Sequence, residues 1–424
     1  MRPTPAKARV EAGTSTGWQG RNRTDVKATK FLLIHNEYAA PSGEEVEFHR
    51  IGKLLADRGY AVHRYNPTSR ELAESAFGRL KAVASGIYSI SSRREVASLV
   101  DRLNPDYVLV QNLFPMISAA VLPVIAKAGV PILMRVANYR LMCPNGLHLS
   151  HGQVCEKCLH GREYWCVLKD CEENLFRSAA YAARSVASRL MGWYRDNVAA
   201  YLCASRFLRD RMLAAGFEAA RVHMIPNAVW DGQPCTAPEL KEVAPYVGYV
   251  GRISQEKGIP TLLEVAQRNP DIPFRLAGRV RTSFRLPQPL PHNVTLEGFL
   301  EGSALTAFYR GARLVVSASQ CFETFGMSIA EAMLHGKPVV VPNAGVFPEV
   351  VQDSLTGLLV DSSSAEAISD RIRRLWNNAG LCLEMGRAAK EWASREYSPE
   401  KYYERFSQIL ALGNLRERPI GERR

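Results

Sequence analysis

The stretch Glu323-Thr-Phe-Gly-Met-Ser-Ile-Ala-Glu331, continued by Ala332-Met-Leu-His-Gly-Lys-Pro338 and Val339-Val-Val341, decides the fold. Gly336 ends a helix, Pro338 forbids its return, and the valine run reads as a buried strand. Glu323 therefore lies in a loop, and Glu331 sits early in a helix whose N-terminus points into that loop. Unpaired N–H groups and the positive dipole end suit such a place to a phosphate. A carboxylate there grips paired hydroxyls of a sugar or ribose. The plainer alternative is that both glutamates only cap and solvate a helix start. Together, the groups suit a sugar nucleotide.

Working outward, the pattern of loop, helix and strand repeats in two series. The first opens with Lys30-Phe-Leu-Leu-Ile-His35, a turn through Ser42-Gly43, a helix ending near Arg58-Gly59, and a strand at Ala61–Tyr65. It continues through strands at 106–110 and 131–136, with a helix over 118–128 between them, and closes with 201–205 and 222–226. Turn formers over 230–239 read as a linker. The second series begins at Tyr246-Val-Gly-Tyr-Val250 and runs through 274–278, 314–317 and 338–342. Two such series imply two doubly wound α/β domains with a cleft at the carboxyl ends of their strands.

Gly251-Arg252-Ile-Ser-Gln-Glu-Lys257-Gly258 follows a strand and opens a helix, placing Arg252 as a fork and Lys257 as a point charge for a diphosphate. Standing alone it would read as a basic surface loop.

These strings, with Gly345-Val-Phe-Pro-Glu349 and Gly357-Leu-Leu-Val360, resemble the nucleotide-binding half of glycosyltransferase family 4, retaining enzymes of the GT-B fold. The resemblance covers Lys30 to Leu412. It implies two Rossmann-like domains, 30–232 for the acceptor and 233–397 for the sugar nucleotide, with the segment 398–424 carrying a last helix back to the first domain. It implies that Arg252 and Lys257 neutralise the leaving diphosphate, and that Gly251 and the backbone of Phe325, Gly326 and Met327 meet the same phosphates. Glu323 would hold the donor sugar, Glu331 the ribose, and Asn138 would touch substrate. Gly43 corresponds to a glycine loop facing the diphosphate, although Ser42 replaces one of its usual pair. No Asp-x-Asp is evident, so no catalytic metal is expected, and charge is taken up by fixed cations. The acceptor, by analogy, is a glycan or polyprenyl-diphosphate-linked intermediate of a surface polysaccharide. The family often has a histidine where Ala137 stands, and another where Gln111 stands; His35 and His148 are candidate replacements. That departure keeps a non-catalytic nucleotide-sugar-binding partner in view, beside a GT-B epimerase.

Length and composition fit this picture. The 424 residues are 46% hydrophobic and 23% charged, enough for two cores. No apolar run reaches the ~20 residues of a spanning helix. Residues 1–29 lack an apolar leader and read as a disordered basic tail, which places the chain in the cytoplasm with reduced thiols. Of the net charge of +12, residues 1–30 and 411–424 supply seven. The remainder suits anionic substrates or an anionic membrane surface, and no nucleic-acid motif appears.

Cys143, Cys155, Cys158, Cys166 and Cys171 form a cluster around a C-x2-C knuckle. Four thiolates suit tetrahedral zinc, and Cys143, Cys155, Cys158 and Cys171 are the expected ligands, with unligated thiols and disulfides as alternatives. A similar insert in a family subgroup implies a structural role for 143–171. Arg177, Arg184 and Arg195 share one helical face opposite Val186, Leu190 and Trp193. That pattern reads either as a bilayer contact or as an amphipathic helix packing on its own domain.

Overall fold

The computed structural model describes residues 28–38, 43–69, 85–230, 244–362 and 364–415. The basic tail up to residue 27, most of the linker with Cys235, Ser42, and residues 416–424 lie outside the described residues.

Among the described residues, fourteen strands build the frame. In the first half, β1 (Lys30–His35), β2 (Ala61–Tyr65), β3 (Tyr107–Asn112), β4 (Ile132–Val136), β7 (Ala200–Cys203) and β8 (Val222–Met224) form one parallel sheet in the order β2-β1-β3-β4-β7-β8. A small antiparallel pair, β5 (Leu149–Ser150) and β6 (Gln153–Val154), lies inside the cysteine insert. The second half pairs β9 (Tyr246–Val250), β10 (Phe274–Ala277), β11 (Val294–Gly298), β12 (Ala312–Val316), β13 (Val339–Pro342) and β14 (Gly357–Val360) in the order β11-β10-β9-β12-β13-β14. Both sheets reverse their winding once, at β1/β3 and at β9/β12. Loops leaving the carboxyl ends of strands at such a reversal diverge and leave a crevice.

The central strands β1, β4, β7, β9, β12 and β13 are largely apolar because both faces are covered, whereas the edge strands β2 and β11 carry polar residues. Alternate residues of β1 enter different cores: Leu32 and Ile34 join Val108 and Val110, whereas Phe31 and Leu33 join Leu109 and Leu133. The second of these cores also takes Tyr402, Phe406 and Ile409 from the last helix, Pro399–Leu410. Phe31 and Phe406 lie with ring centroids 6.0 Å apart, and Tyr60 shares a hydrogen bond with Tyr403. The chain therefore crosses back and completes the first half with residues from its end. The architecture is GT-B.

The arginine-rich stretch departs from its expected wheel. A helix runs Leu175–Leu190, Gly192 turns at φ 63°, and a short helix Trp193–Asn197 follows. Arg184 is buried, donating to the Pro144 carbonyl, and Leu190 is 70% exposed. The loop at Pro144 and the ring of Phe114 cover Arg184 but not Arg177, one face being closed at a single level by distant chain. The helix expected over 118–128 is shorter, a 3-10 turn at Ala119–Val121 leading into Leu122–Lys127.

Candidate active site

The crevice of the second half is set by the loops after β9 and β12. Gly258 has φ 71°, and a Cβ there would lie 1.7 Å from the Ala318 carbonyl oxygen. Only glycine lets the two loops press together at this point. Their approach brings the Lys257 ammonium 2.5 Å from Glu323 Oε1, and the Ser319 hydroxyl donates to the same oxygen at 2.8 Å. Burial pushes the Glu323 carboxyl up, but Lys257, Ser319 and Arg252 outweigh it and hold the group below its ordinary range. Lys257 shows the mirror effect, burial lowering it and Glu323 raising it, with a net rise. Both are charged across the neutral range. Arg252 stays at the rim, 51% exposed, with Nε 3.8 Å from Glu256.

Gly326, at φ 82°, caps the helix Met327–Leu334. The first amides of that helix have no intrahelical partner. Phe325 offers backbone only, since its side chain is buried edge-on against Tyr397. Glu331, one turn on, accepts from the Tyr309 hydroxyl at 3.0 Å and faces Arg50 of the first half at 3.7 Å. Burial outweighs those partners, and its carboxyl sits above the ordinary range. Gly43 begins the helix Gly43–Asp57, whose first turn carries Glu44 and Glu45, and a Cβ on it would meet nothing within 4 Å.

The Glu323 loop is held from the other side by the first half. Tyr139 donates to the Glu323 carbonyl at 3.0 Å, Thr324 donates to the Ala137 carbonyl at 3.3 Å, and Ser205 donates to the Thr324 carbonyl at 2.9 Å. Burial and the neighbouring Glu323 push the Tyr139 phenol well up, so it remains a donor. The Glu349 carboxylate accepts from the amides of Arg206 and Phe207, capping the helix Arg206–Ala214 across the crevice. Sequence reasoning missed Tyr139, Ser205 and Glu349 as closing contacts. Only Ser205 carried a local signal, as a helix cap.

The expected histidine position is filled differently. Ala137 meets the Glu323 loop through its backbone. Gln111 donates to the Glu44 carbonyl and accepts from Arg135, so it serves as a strut. His35 is fully buried on Phe48, and His148 packs edge-on against Tyr139, with Nδ1 on the Cys155 carbonyl. Neither imidazole is in contact with the Glu323 side chain among the described residues. Asn138 contacts Glu44 at 3.4 Å and accepts from the Arg140 amide.

The expected zinc cage finds no support among the described residues. Among the described residues no group of three or more His, Cys, Asp or Glu converges on a metal position. Cys166, set aside as surplus, is the most buried thiol of the insert and is hydrogen-bonded to Cys171, while Cys143 turns to Asn145. Packing around Cys158, Cys166 and Ala182 is what organises the insert.

Residues 40–228 match the glycosyl transferase 4-like domain, and residues 237–392 match glycosyl transferases group 1. The chain belongs to the group 1 glycosyl transferases. Among curated relatives, a poly(ribitol-phosphate) alpha-N-acetylglucosaminyltransferase of Staphylococcus aureus is 29% identical over 41% of the chain and 37% of its own length. A GDP-mannose-dependent alpha-mannosyltransferase of Mycolicibacterium smegmatis is 36% identical over 29% of the chain and 32% of its own length. An uncharacterised 41.2 kDa protein in the cps region of Klebsiella pneumoniae is 26% identical over 46% of the chain. The group 1 chain spans about half or less of these relatives' lengths, 56% at most. Among solved structures, Anabaena Alr3699/HepE in complex with UDP and glucose superposes at a TM-score of 0.62, with 18% identity, over 90% of this chain and 99% of that one. At that identity the likeness speaks to the fold.

Proposed function

We propose that this chain is a retaining glycosyltransferase that moves a sugar from a nucleoside-diphosphate sugar to a glycan or lipid-linked acceptor in surface-polysaccharide synthesis. The observation that carries the reading is the meeting of Lys257, Glu323 and the head of the helix Met327–Leu334 at the sheet's reversal. The activities named for the relatives, and the cps region in which another is found, agree with it.

In this reading residues 30–232 form the acceptor domain and 233–397 the donor domain. Lys257 and Arg252 take up charge on the departing diphosphate, assisted by Gly251 beside them, by the amides at Gly326 and Met327, and by Gly43 across the crevice. Glu323, oriented by Ser319, holds the donor sugar, and Glu331 holds the ribose. Asn138 lies on the acceptor side. The bond from the sugar's anomeric carbon to the phosphate oxygen breaks as the acceptor oxygen bonds on the same face, and the acceptor proton passes to the leaving diphosphate. Rate enhancement comes from positioning and fixed charge. Among the described residues no helix is long and apolar enough to cross a membrane. Exposed Leu168, Leu175 and Phe176 form the edge by which the acceptor domain would touch an anionic bilayer at its cytoplasmic face.

Incubation of the full chain with radiolabelled UDP- and GDP-sugars and a membrane lipid extract tests the proposal. Label in lipid or glycan is expected; an altered free sugar would mean an epimerase, and binding without turnover a partner protein.

A further inference from the structure

The segment Ala137–Arg140 has two sides. One side receives Thr324 and donates from Tyr139 to the Glu323 carbonyl. The other lines a cavity of about 90 Å³ beyond the carboxyl ends of β3 and β4, walled also by Phe114 and by the helix Leu175–Leu190.

Charge in that cavity is lopsided. Arg135, Arg140, Arg184, Arg189 and Arg195 line it, and among the described residues the only carboxylate lining it is Glu163. Arg189 clamps Glu163 with two hydrogen bonds, at 2.7 and 3.1 Å. Arg135 is met by Glu47, Gln111 and Asn227, and Arg195 donates to the Ala215 carbonyl. Two guanidiniums are left. Arg140 gives one N–H to the Tyr38 hydroxyl at 2.6 Å, and Arg184 gives one to the Pro144 carbonyl at 2.9 Å. Their centres stand 5.8 and 4.6 Å from the centroid of the same Phe114 ring. Arg140 Nε and Arg184 Nη1 are buried with no hydrogen-bond partner among the described residues, and Arg184 as a whole is only 9% exposed.

The Phe114 ring lies against both groups but leaves Arg140 Nε and Arg184 Nη1 without a hydrogen-bond partner among the described residues. A buried guanidinium without a carboxylate is costly to the fold. Glu44 lies close enough to support Arg140, while Arg184 is opposed by burial and by Arg140 itself. Neighbouring planar forks are suited to a tetrahedral oxyanion, which each can meet with parallel N–H donors.

We propose that Arg140 and Arg184 form a subsite for an acidic group of the acceptor, a phosphate or diphosphate ester, seated across the Ala137–Arg140 segment from the donor sugar. The proposal rests on the reading of the first half as the acceptor side. It gives the acidic group of that acceptor a place in the fold.

The test is titration of the full-length Lys257→Ala protein with inorganic pyrophosphate, so that donor-site binding does not mask the cavity. Arg184→Met and Arg140→Met, each added to that background, are expected to weaken pyrophosphate about tenfold or more, as loss of a charged hydrogen bond implies. Arg184→Lys, which keeps charge without the fork, should fall between. Farnesyl diphosphate binding more tightly than pyrophosphate would assign the acidic group to a lipid carrier, and glucose 1-phosphate doing so would assign it to the glycan. Unchanged pyrophosphate affinity in both methionine variants overturns the subsite. So does a large fall in melting temperature for Arg184→Met without loss of binding, which would make the arginine a structural strut. Failure of the donor reading shows separately, as absence of UDP and GDP affinity in the unsubstituted chain.

Discussion

The two walls of the crevice handle buried cations in opposite ways. On the wall from the second half, the proposed donor wall, Lys257 has a carboxylate at 2.5 Å and a serine hydroxyl on the same oxygen. On the wall from the first half, the proposed acceptor wall, Arg184 has a carbonyl, a ring and a donor with no partner among the described residues. A paired cation contributes to the fold and must be partly released to act on substrate. An unpaired one costs the fold and waits for its anion. Substitution should therefore separate the walls by stability as well as by activity.

The largest effect is expected from Lys257→Ala. Loss of a fixed cation from the leaving group should lower turnover by roughly a thousandfold. It also leaves Glu323 without its counter-charge, at a cost of about 3 kcal/mol. Activity assays and urea denaturation check both. Arg184→Met should leave stability unchanged or improved, because it removes an unmet buried charge. If the two variants lose equal stability, the contrast between the walls fails.

Phe406→Ala comes next, at about 4 kcal/mol for a large ring removed from a packed core. Phe406 belongs by sequence to the end of the chain and by packing to the acceptor half. Hydrogen exchange should therefore show protection lost first at β1 and the helix Gly43–Asp57, with β9 and β12 holding longer. Uniform loss would mean that the two walls share one cooperative unit.

Glu349→Ala joins the walls in a single experiment. Its carboxylate satisfies two amides at the start of the helix Arg206–Ala214, and their loss should cost about 2 kcal/mol. The expected outcome is a raised KM for donor with a smaller change in kcat, since closure suffers before chemistry. A change confined to kcat would instead put Glu349 in the reacting geometry.

The same contrast explains what could be read beforehand. The donor wall draws its groups from residues 251–258 and 319–331, short segments whose glycines and charges keep fixed spacing, so Lys257, Glu323 and Glu331 were legible. Alternating strands and turns likewise announced both sheets. On the acceptor wall, Tyr38, Gln111, Arg140, Glu163 and Arg184 come from separate elements, and no spacing links them. Arg184 shows the difficulty best: on a helical wheel it shares a face with exposed Arg177, and only distant Phe114 and Pro144 bury it. The cysteines are a related case. Their spacing permits a cage, but packing sends Cys166 inward and Cys143 toward Asn145.

The smallest effect sharpens the comparison within the donor wall, where the two glutamates of one stretch are expected to titrate in opposite senses. For Glu323, burial is outweighed by Lys257 and its neighbours, so the folded group ionises below the ordinary glutamate value of 4.5. Its contribution to stability is then present above pH 4.5 and lost as pH falls through the folded value. For Glu331, burial outweighs Arg50 and Tyr309, so the folded group ionises above 4.5. Its charged form costs stability at neutral pH, and that cost is relieved as pH falls through the folded value. Glu331→Gln resembles the protonated state and should be neutral or slightly stabilising at pH 7, the advantage shrinking toward pH 5. Glu323→Gln should destabilise at both pH values, because its folded carboxylate stays ionised throughout that window. Urea midpoints of the two variants at pH 7 and pH 5 measure the difference. Equal destabilisation at pH 7 would mean that Arg50 secures Glu331 as firmly as Lys257 secures Glu323, and that the crevice is closed by an ion pair the donor must break.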